Sequence, residues 1–267
     1  MSAPPYPRYS KEEFARRGNE MYERDVQPHL GAEDNFEEAP AMTPRFEIRR
    51  EHLNLQARFG APVFGLFKDF PELVEHLFRT LGGYGIRLTD IKLDSPGESL
   101  GEINLRFSWA ELNTECRIFL DRVELASGYP PFPPFVHLAK GDLVRDILDS
   151  LASYSPDISF RAFQVMREFH GALDVPASDF LGRFSSSAPQ SLGPSLGSGT
   201  IFYFGADANR LAGSLSLDFS RVVDDGLFLK LITLFDASQV AAADLLPTAR
   251  TQLVNLVAEM GIELAEV

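Results

Sequence analysis

Five histidines and one cysteine are the side chains through which this 267-residue chain would hold a transition metal or attack an electrophile. The histidines are His29, His52, His76, His137 and His170, and no two stand four residues apart. The chain therefore lacks the i, i+4 pair that a helical zinc site uses, and it has no C-x-x-C. His52 and His170 do occupy comparable places in two long strand-like runs. Cys116 lies between Glu115 and Arg117 in another such run. It reads as a buried, inert thiol, because a nucleophilic cysteine needs surroundings that stabilise its thiolate.

The remaining motifs read as turns and linkers. Gly193–Thr200, GPSLGSGT, lacks the lysine of a phosphate loop and precedes a strand rather than a helix. Asp224-Asp225-Gly226 between two apolar runs is a hairpin turn in preference to a catalytic acid pair. Glu33, Asp34, Glu37 and Glu38 lack the spacing of a calcium loop and read as solvated. No catalytic residue is assigned, and no metal or cofactor is expected.

Composition narrows the classes. Apolar residues make up 45% and charged residues 24%, with a net charge of −13. A sequence pI near 4.8 argues against nucleic-acid binding, which needs clustered Lys and Arg. The acidity is spread out, with 9 acidic and 5 basic residues in 1–44, 16 and 13 in 45–156, and 13 and 7 in 157–267. That pattern fits a solvated surface better than an electrostatic lure. No run of about 18 apolar residues suggests a membrane span. The N-terminus has no apolar core of a secretory signal, and the lone cysteine fits a reducing, cytoplasmic compartment. Twenty-two Phe residues against one Trp imply a thick aromatic core, a cavity or an interface.

The elements follow from spacing. Ser10 and Glu13 form a capping box opening a helix whose stripe is Phe14, Gly18, Met21, Tyr22 and Val26, ended by Pro28. The stripe needs a surface, either in this protein's own core or on another chain. Arg16, Arg17 and Arg24 lie opposite it. Residues 35–44 are a linker. A long strand is predicted over 46–59, then a helix over 67–83 with Asp69 as N-cap and Pro71 in its first turn. Strands over 86–93, 101–109 and 115–125 come next, then a helix over 141–154. A second strand-like run spans 158–173. Strands over 201–206, 212–220 and 226–236 and a helix over 239–261 complete the chain, with 185–200 a flexible segment before them.

Pro7–Asp34, PRYSKEEFARRGNEMYERDVQPHLGAED, resembles the opening of a widespread family of small uncharacterised bacterial proteins. Gly18, Tyr22, Glu23 and Arg24 carry the likeness. The family's following strand, with an Ile-Glu-Thr-Gly-Asp-Tyr-like stretch, is replaced here by NFEEAPAMTP. The resemblance covers about a tenth of the chain. It implies an appended module and transfers no activity.

The body repeats its plan. With Gly101 set on Gly213, an offset of 112, Ile103 meets Leu215, Leu105 meets Leu217, Phe107 meets Phe219 and Ser108 meets Ser220. The expected fold is α+β, with internally duplicated antiparallel-sheet-plus-helix halves in a two-layer sandwich and an appended N-terminal helix. The expected segments are 1–44, 45–156 and 157–267, the last two joined edge to edge in one sheet or packed through their helices.

Function is expected to be non-enzymatic: a cytoplasmic protein-interaction module, antitoxin-like or immunity-like, or an assembly subunit. Its partner is a protein or another copy of itself, not nucleic acid or membrane. Candidate partner-binding residues are Phe14, Met21 and Tyr22 of the first helix, Tyr129, Phe132 and Phe135 of the stiff loop YPPFPPF, and Trp109 at a strand end. The alternative is a small apolar ligand, or an enzyme's substrate, held between sheet and helix among Phe59, Phe64, Phe67, Phe107, Phe119, Phe163, Phe202, Phe204 and Phe219.

Overall fold

A computed structural model describes residues 43–95, 99–127, 142–184, 199–205 and 212–265. By its contacts the chain divides into Met1–Met42 and Thr43–Val267, and every described residue belongs to the second unit. The expected first helix, the loop 129–135 and most of 185–200 lie outside the described residues.

Strand β1 (Arg45–Phe59) runs through the middle of the sheet. Its apolar residues do not keep one phase: Phe46 and Ile48 are even, whereas Leu53, Leu55, Ala57 and Phe59 are odd. A bulge at Arg49 reconciles them, since Ile48 opposes Gly171 and Arg50 opposes His170. One extra residue turns the remainder over, so both sets face the same layer. Phe46, Leu55 and Ala57 are all but fully buried there.

Helix α1 (Phe70–Leu81) follows, with Pro71 in its first turn and Leu73, Leu77 and Leu81 buried along one stripe. Asp69 does stand at the N-cap, but its side chain makes no capping bond; its carbonyl accepts from the Glu72 and Leu73 amides. Strands β2 (Ile91–Asp94) and β3 (Asn104–Trp109) are shorter than expected because short 3-10 turns precede both. Asp90 accepts from the Arg87 amide before β2, and Ser99 from the Gly101 amide before β3.

The run 115–125 is not one strand. It is a hairpin of β4 (Thr114–Ile118) and β5 (Arg122–Ser127). Apolar phase changes inside the run, from Cys116 and Ile118 to Val123 and Leu125, which a single strand cannot serve on one face. The Leu120 and Asp121 carbonyls at the turn accept from the Val63 and Phe59 amides. Helix α2 (Asp142–Tyr154) then packs on α1.

The second stretch runs β6 (Phe160–Leu173), helix α3 (Ala177–Gly182), β7 (Thr200–Phe204), β8 (Ala212–Phe219) and β9 (Leu227–Asp236). Helix α4 (Leu245–Glu259) and β10 (Glu263–Leu264) close it. Helix α4 starts later than expected, after a 3-10 turn over Ala242–Asp244.

These strands form one ten-stranded sheet in the order β2-β3-β4-β5-β1-β6-β9-β8-β7, with β10 beside the start of β1. All pairings are antiparallel except β1 with β10. The fold is α+β, and the segments before and after residue 157 meet through β1 and β6. The residue match at offset 112 does not survive: it sets β3, third from the central pair, against β8, second from it.

The helices pack on one face. A first cluster unites β1 to β5 with α1, α2 and the start of α4. A second unites Phe46, β6, β8 and β9 with α3 and the end of α4. Between the two, on the same face, Arg167 Nε donates to Glu51 Oε1 at 2.8 Å. Gly171 lets the Phe46 ring lie across β6, because a Cβ there would strike the ring and the Glu47 carbonyl.

Candidate functional site

The other face of the sheet carries no helix among the described residues, and registers place its side chains in rows. One row runs Lys92, Arg106, Arg117, Glu124, Gln56, Gln164, Leu234, Ala212. The next runs Ser108, Glu115, Ala126, Asn54, Met166, Ile232, Ser214, Tyr203. Each begins polar at the β2 end and becomes apolar or small past β6.

At the β2 end the charges satisfy one another. Arg106 Nε lies 3.1 Å from Asp94, Arg117 Nε 2.6 Å from Glu115, and Arg122 Nε 2.7 Å from Glu124. Gln56 donates to Glu124 at 3.1 Å, and Arg58 to Gln56 at 2.8 Å. A shallow cleft of about 330 Å³ at this end is lined by Leu93, Asp94, Ser95, Asn104 and Arg117. It lies at the outer end of β2 rather than between sheet and helices.

The β7 end differs. Among the described residues β7 pairs only with β8. Its sequence, TIFYF, has no charge and no proline, and Ile201, Phe202 and Tyr203 are 55%, 38% and 82% exposed. An edge strand normally carries charges, prolines or bulges that keep other strands away. Opposite Ile201 and Tyr203 stand Ser216 and Ser214, so the neutral character continues one strand inward. On the helix side the Phe180, Phe184 and Phe202 rings run edge to face at 5.3 Å and 5.8 Å, from the buried core to the edge.

The described histidines and the cysteine take structural places, while His29 and His137 lie outside the described residues. His52 opposes Glu168 and His170 opposes Arg50, which makes the two histidines diagonal neighbours on the helix-free face. His170 Nδ1 is 2.9 Å from Ser220 Oγ, and its ring lies 4.9 Å from that of Phe228. Burial lowers its pKa, with Glu168 opposing and Arg50 adding to the fall. His76 Nε2 ties α1 to the Ser150 carbonyl of α2 at 2.9 Å. Cys116 is buried, and burial, then Glu115 and Glu124, push its pKa far above the thiol range, so it holds no thiolate. Among the described residues no group of three or more His, Cys, Asp or Glu is placed to hold a metal. Asp225 turns the β8–β9 hairpin at φ 49° and accepts from the Ala177 amide at the start of α3, a turn and cap rather than an acid pair.

Trp109 is not on a surface. It follows Leu105 and Phe107 at alternate positions of β3, so its ring points inward, is 3% exposed and stacks on Phe107 at 6.2 Å. Phe14, Met21, Tyr22, Tyr129, Phe132 and Phe135 lie outside the described residues. Of the phenylalanines, Phe59, Phe107 and Phe163 are buried in the helix–sheet layer, Phe119 is buried outside it at the β4–β5 turn beneath the Arg122 guanidinium, Phe67, Phe204 and Phe219 pack partly against the layer, and Phe64 is exposed.

The β7 edge is what reading the sequence missed. Its signal was an uncharged, aromatic five-residue run behind a Gly/Ser-rich stretch. Gly193–Gly197 also spells G-x-S-x-G, the pattern of a hydrolase nucleophile turn. It lies outside the described residues, with helix α3 before it and strand β7 after it, whereas that turn joins a strand to a following helix.

No protein-family model matches the chain, and no curated protein matches it. A solved structure with a weak likeness is the regulatory subunit of aspartate kinase from Thermus flavus. Identity is 9% over 79% of this chain and 97% of that one, with a TM-score of 0.16, and a likeness of that size carries no argument. No described helix is long and apolar enough to cross a membrane.

Proposed function

We propose that this chain is a cytoplasmic, non-enzymatic protein-interaction module, an assembly subunit or a neutralising partner of antitoxin or immunity type, which binds by accepting a strand at the β7 edge. The observation that carries this is the contrast of edges: Lys92 and Asp94 on β2 against the uncharged, exposed Ile201, Phe202 and Tyr203 on β7. An unpaired strand edge offers a row of N–H and C=O groups, and a strand from another chain satisfies them while side-chain contacts select it. The lack of charge on β7 selects an uncharged, β-branched or aromatic strand.

The same reading treats the body as a duplicated unit. What supports it is that β1 and β6 each lead through a helix into a meander whose last strand returns to pair with them, β5 on β1 and β9 on β6, before a second helix. The first meander has four strands and the second three.

A photo-crosslinking amino acid tests the binding edge. Placed at Tyr203 in the full chain and expressed in the native host, it forms adducts with another polypeptide; placed at Lys92 it does not. Adducts at neither position, or equally at both, overturn the proposal.

A further inference from the structure

Resting on the β7 edge as the binding edge, we infer that the strand completing it comes from a second copy of this chain, paired antiparallel about Phe202. Three observations carry this.

The first is charge. The chain has a net charge of −13, so two copies repel wherever acidic surface meets acidic surface. At the β7 edge neither the strand nor the β8 residues opposite Ile201 and Tyr203 are charged. Over Thr200–Phe204 and the β8 residues opposite, a second copy meets no charge; the nearest described one is Asp218, beside Gly199.

The second is self-complementarity. An antiparallel pairing centred on Phe202 sets Phe202 against its own copy, Ile201 against Tyr203, and Thr200 against Phe204. Tyr203, the most exposed of the three edge side chains at 82%, is covered by a β-branched residue, a favourable cross-strand pair, and the two-fold axis makes that pair twice. Such an interface closes on itself, so it ends at a dimer rather than a fibre.

The third is the aromatic file. Phe180, Phe184 and Phe202 run edge to face outward from the core and stop at a ring 38% exposed. A second Phe202 across the axis continues the file into the other copy, burying ring area that water now covers.

Sedimentation of the full chain tests this. The wild type is a reversible dimer in the micromolar range, and Tyr203→Lys weakens dimerisation roughly thirtyfold or more while far-UV circular dichroism stays unchanged. Cysteine substitution reads the register in chains that keep Tyr203. Cα atoms directly opposite in an antiparallel pair lie about 5 Å apart, within disulfide reach, so Phe202→Cys joins two chains on mild oxidation. Ile201→Cys, about 7–8 Å from its own copy on the diagonal, does not. Cys116 is buried and takes no part. A monomer at every concentration, a dimer indifferent to Tyr203→Lys, or equal crosslinking at 201 and 202 overturns the inference. Photo-adducts at Tyr203 of a mass other than twice the chain sink the second copy but keep the edge; no adducts at all sink both.

Discussion

The two ends of the sheet solve one problem in opposite ways. The β2 end is short and charged, and its helix-free face is a lattice of pairs from Asp94 and Arg106 to Glu124 and Gln56. The β7 end is neutral and aromatic, with no such lattice on β7 or on the β8 residues opposite Ile201 and Tyr203. Exposed ion pairs add little stability, roughly 0–1 kcal/mol each. Charges on an edge strand such as β2 disfavour its pairing with a further strand. Among the described residues the sheet guards one end with charge and leaves the other uncharged and exposed.

The strongest way to break this contrast is to show that the ends are separate bodies rather than ends of one. Phe107→Ala hollows the first cluster and Leu229→Ala the second, costing about 3–5 and 2–5 kcal/mol. Because β1 and β6 pair along nearly their whole length, each variant lowers one shared urea midpoint. Two transitions in either variant would divide the sheet in half.

The seam between the clusters gives the next effect. Glu51 and Arg167 are 14% and 16% exposed, and Arg167 also reaches the Phe169 ring. Glu51→Leu strands a mostly buried guanidinium and costs about 3 kcal/mol, whereas Glu51→Leu with Arg167→Met recovers most of it. A double-mutant cycle by chemical denaturation measures this, and additive losses would show that the pair does not couple.

His170 sharpens the contrast from inside the second half. Burial holds its pKa below the ordinary 6.5, so the unfolded chain takes up a proton at a higher pH than the folded chain does. Stability from this group is level above pH 6.5 and falls as the pH drops through the interval down to the folded value. Urea midpoints between pH 7 and pH 5 fall more steeply for the wild type than for His170→Gln; parallel slopes would remove His170 from the account.

The smallest effect on stability is the most telling for the edges. Exchanging their characters, with Ile201→Lys on β7 and Lys92→Ile on β2, changes monomer stability by no more than about 0.5 kcal/mol each. The first abolishes association and the second creates it at the β2 end, read by light scattering. Unchanged association in both would mean that edge charge does not set where this chain binds.

Much of the framework is legible residue by residue. Alternation marks β1, β6, β8 and β9, and leucines four apart mark α1, because side-chain period follows directly from backbone geometry. The turn inside 114–127 was written in the phase change between Ile118 and Val123, but a phase change means a bulge as readily as a hairpin. At Arg49 it is a bulge; at Leu120 it is a turn. Nothing local distinguishes them, since the choice depends on whether a partner strand continues alongside. Trp109 misled for a related reason: a strand end looks like a surface until the helices over it are placed.

Composition, spacing and periodicity by themselves determined the α+β class, the places of the longer strands and helices, the absence of recognisable metal motifs and the inertness of Cys116. These are properties of short stretches, governed by backbone period and side-chain chemistry. Only the tertiary structure decided that β1 and β6 join two meanders into one sheet, that the helices share one face, and that β7 lies at an end. Strand order is set by contacts between residues far apart in the chain, and the same TIFYF between two neighbours would be core. Its place at the margin of the described sheet is what leaves an ordinary apolar strand exposed.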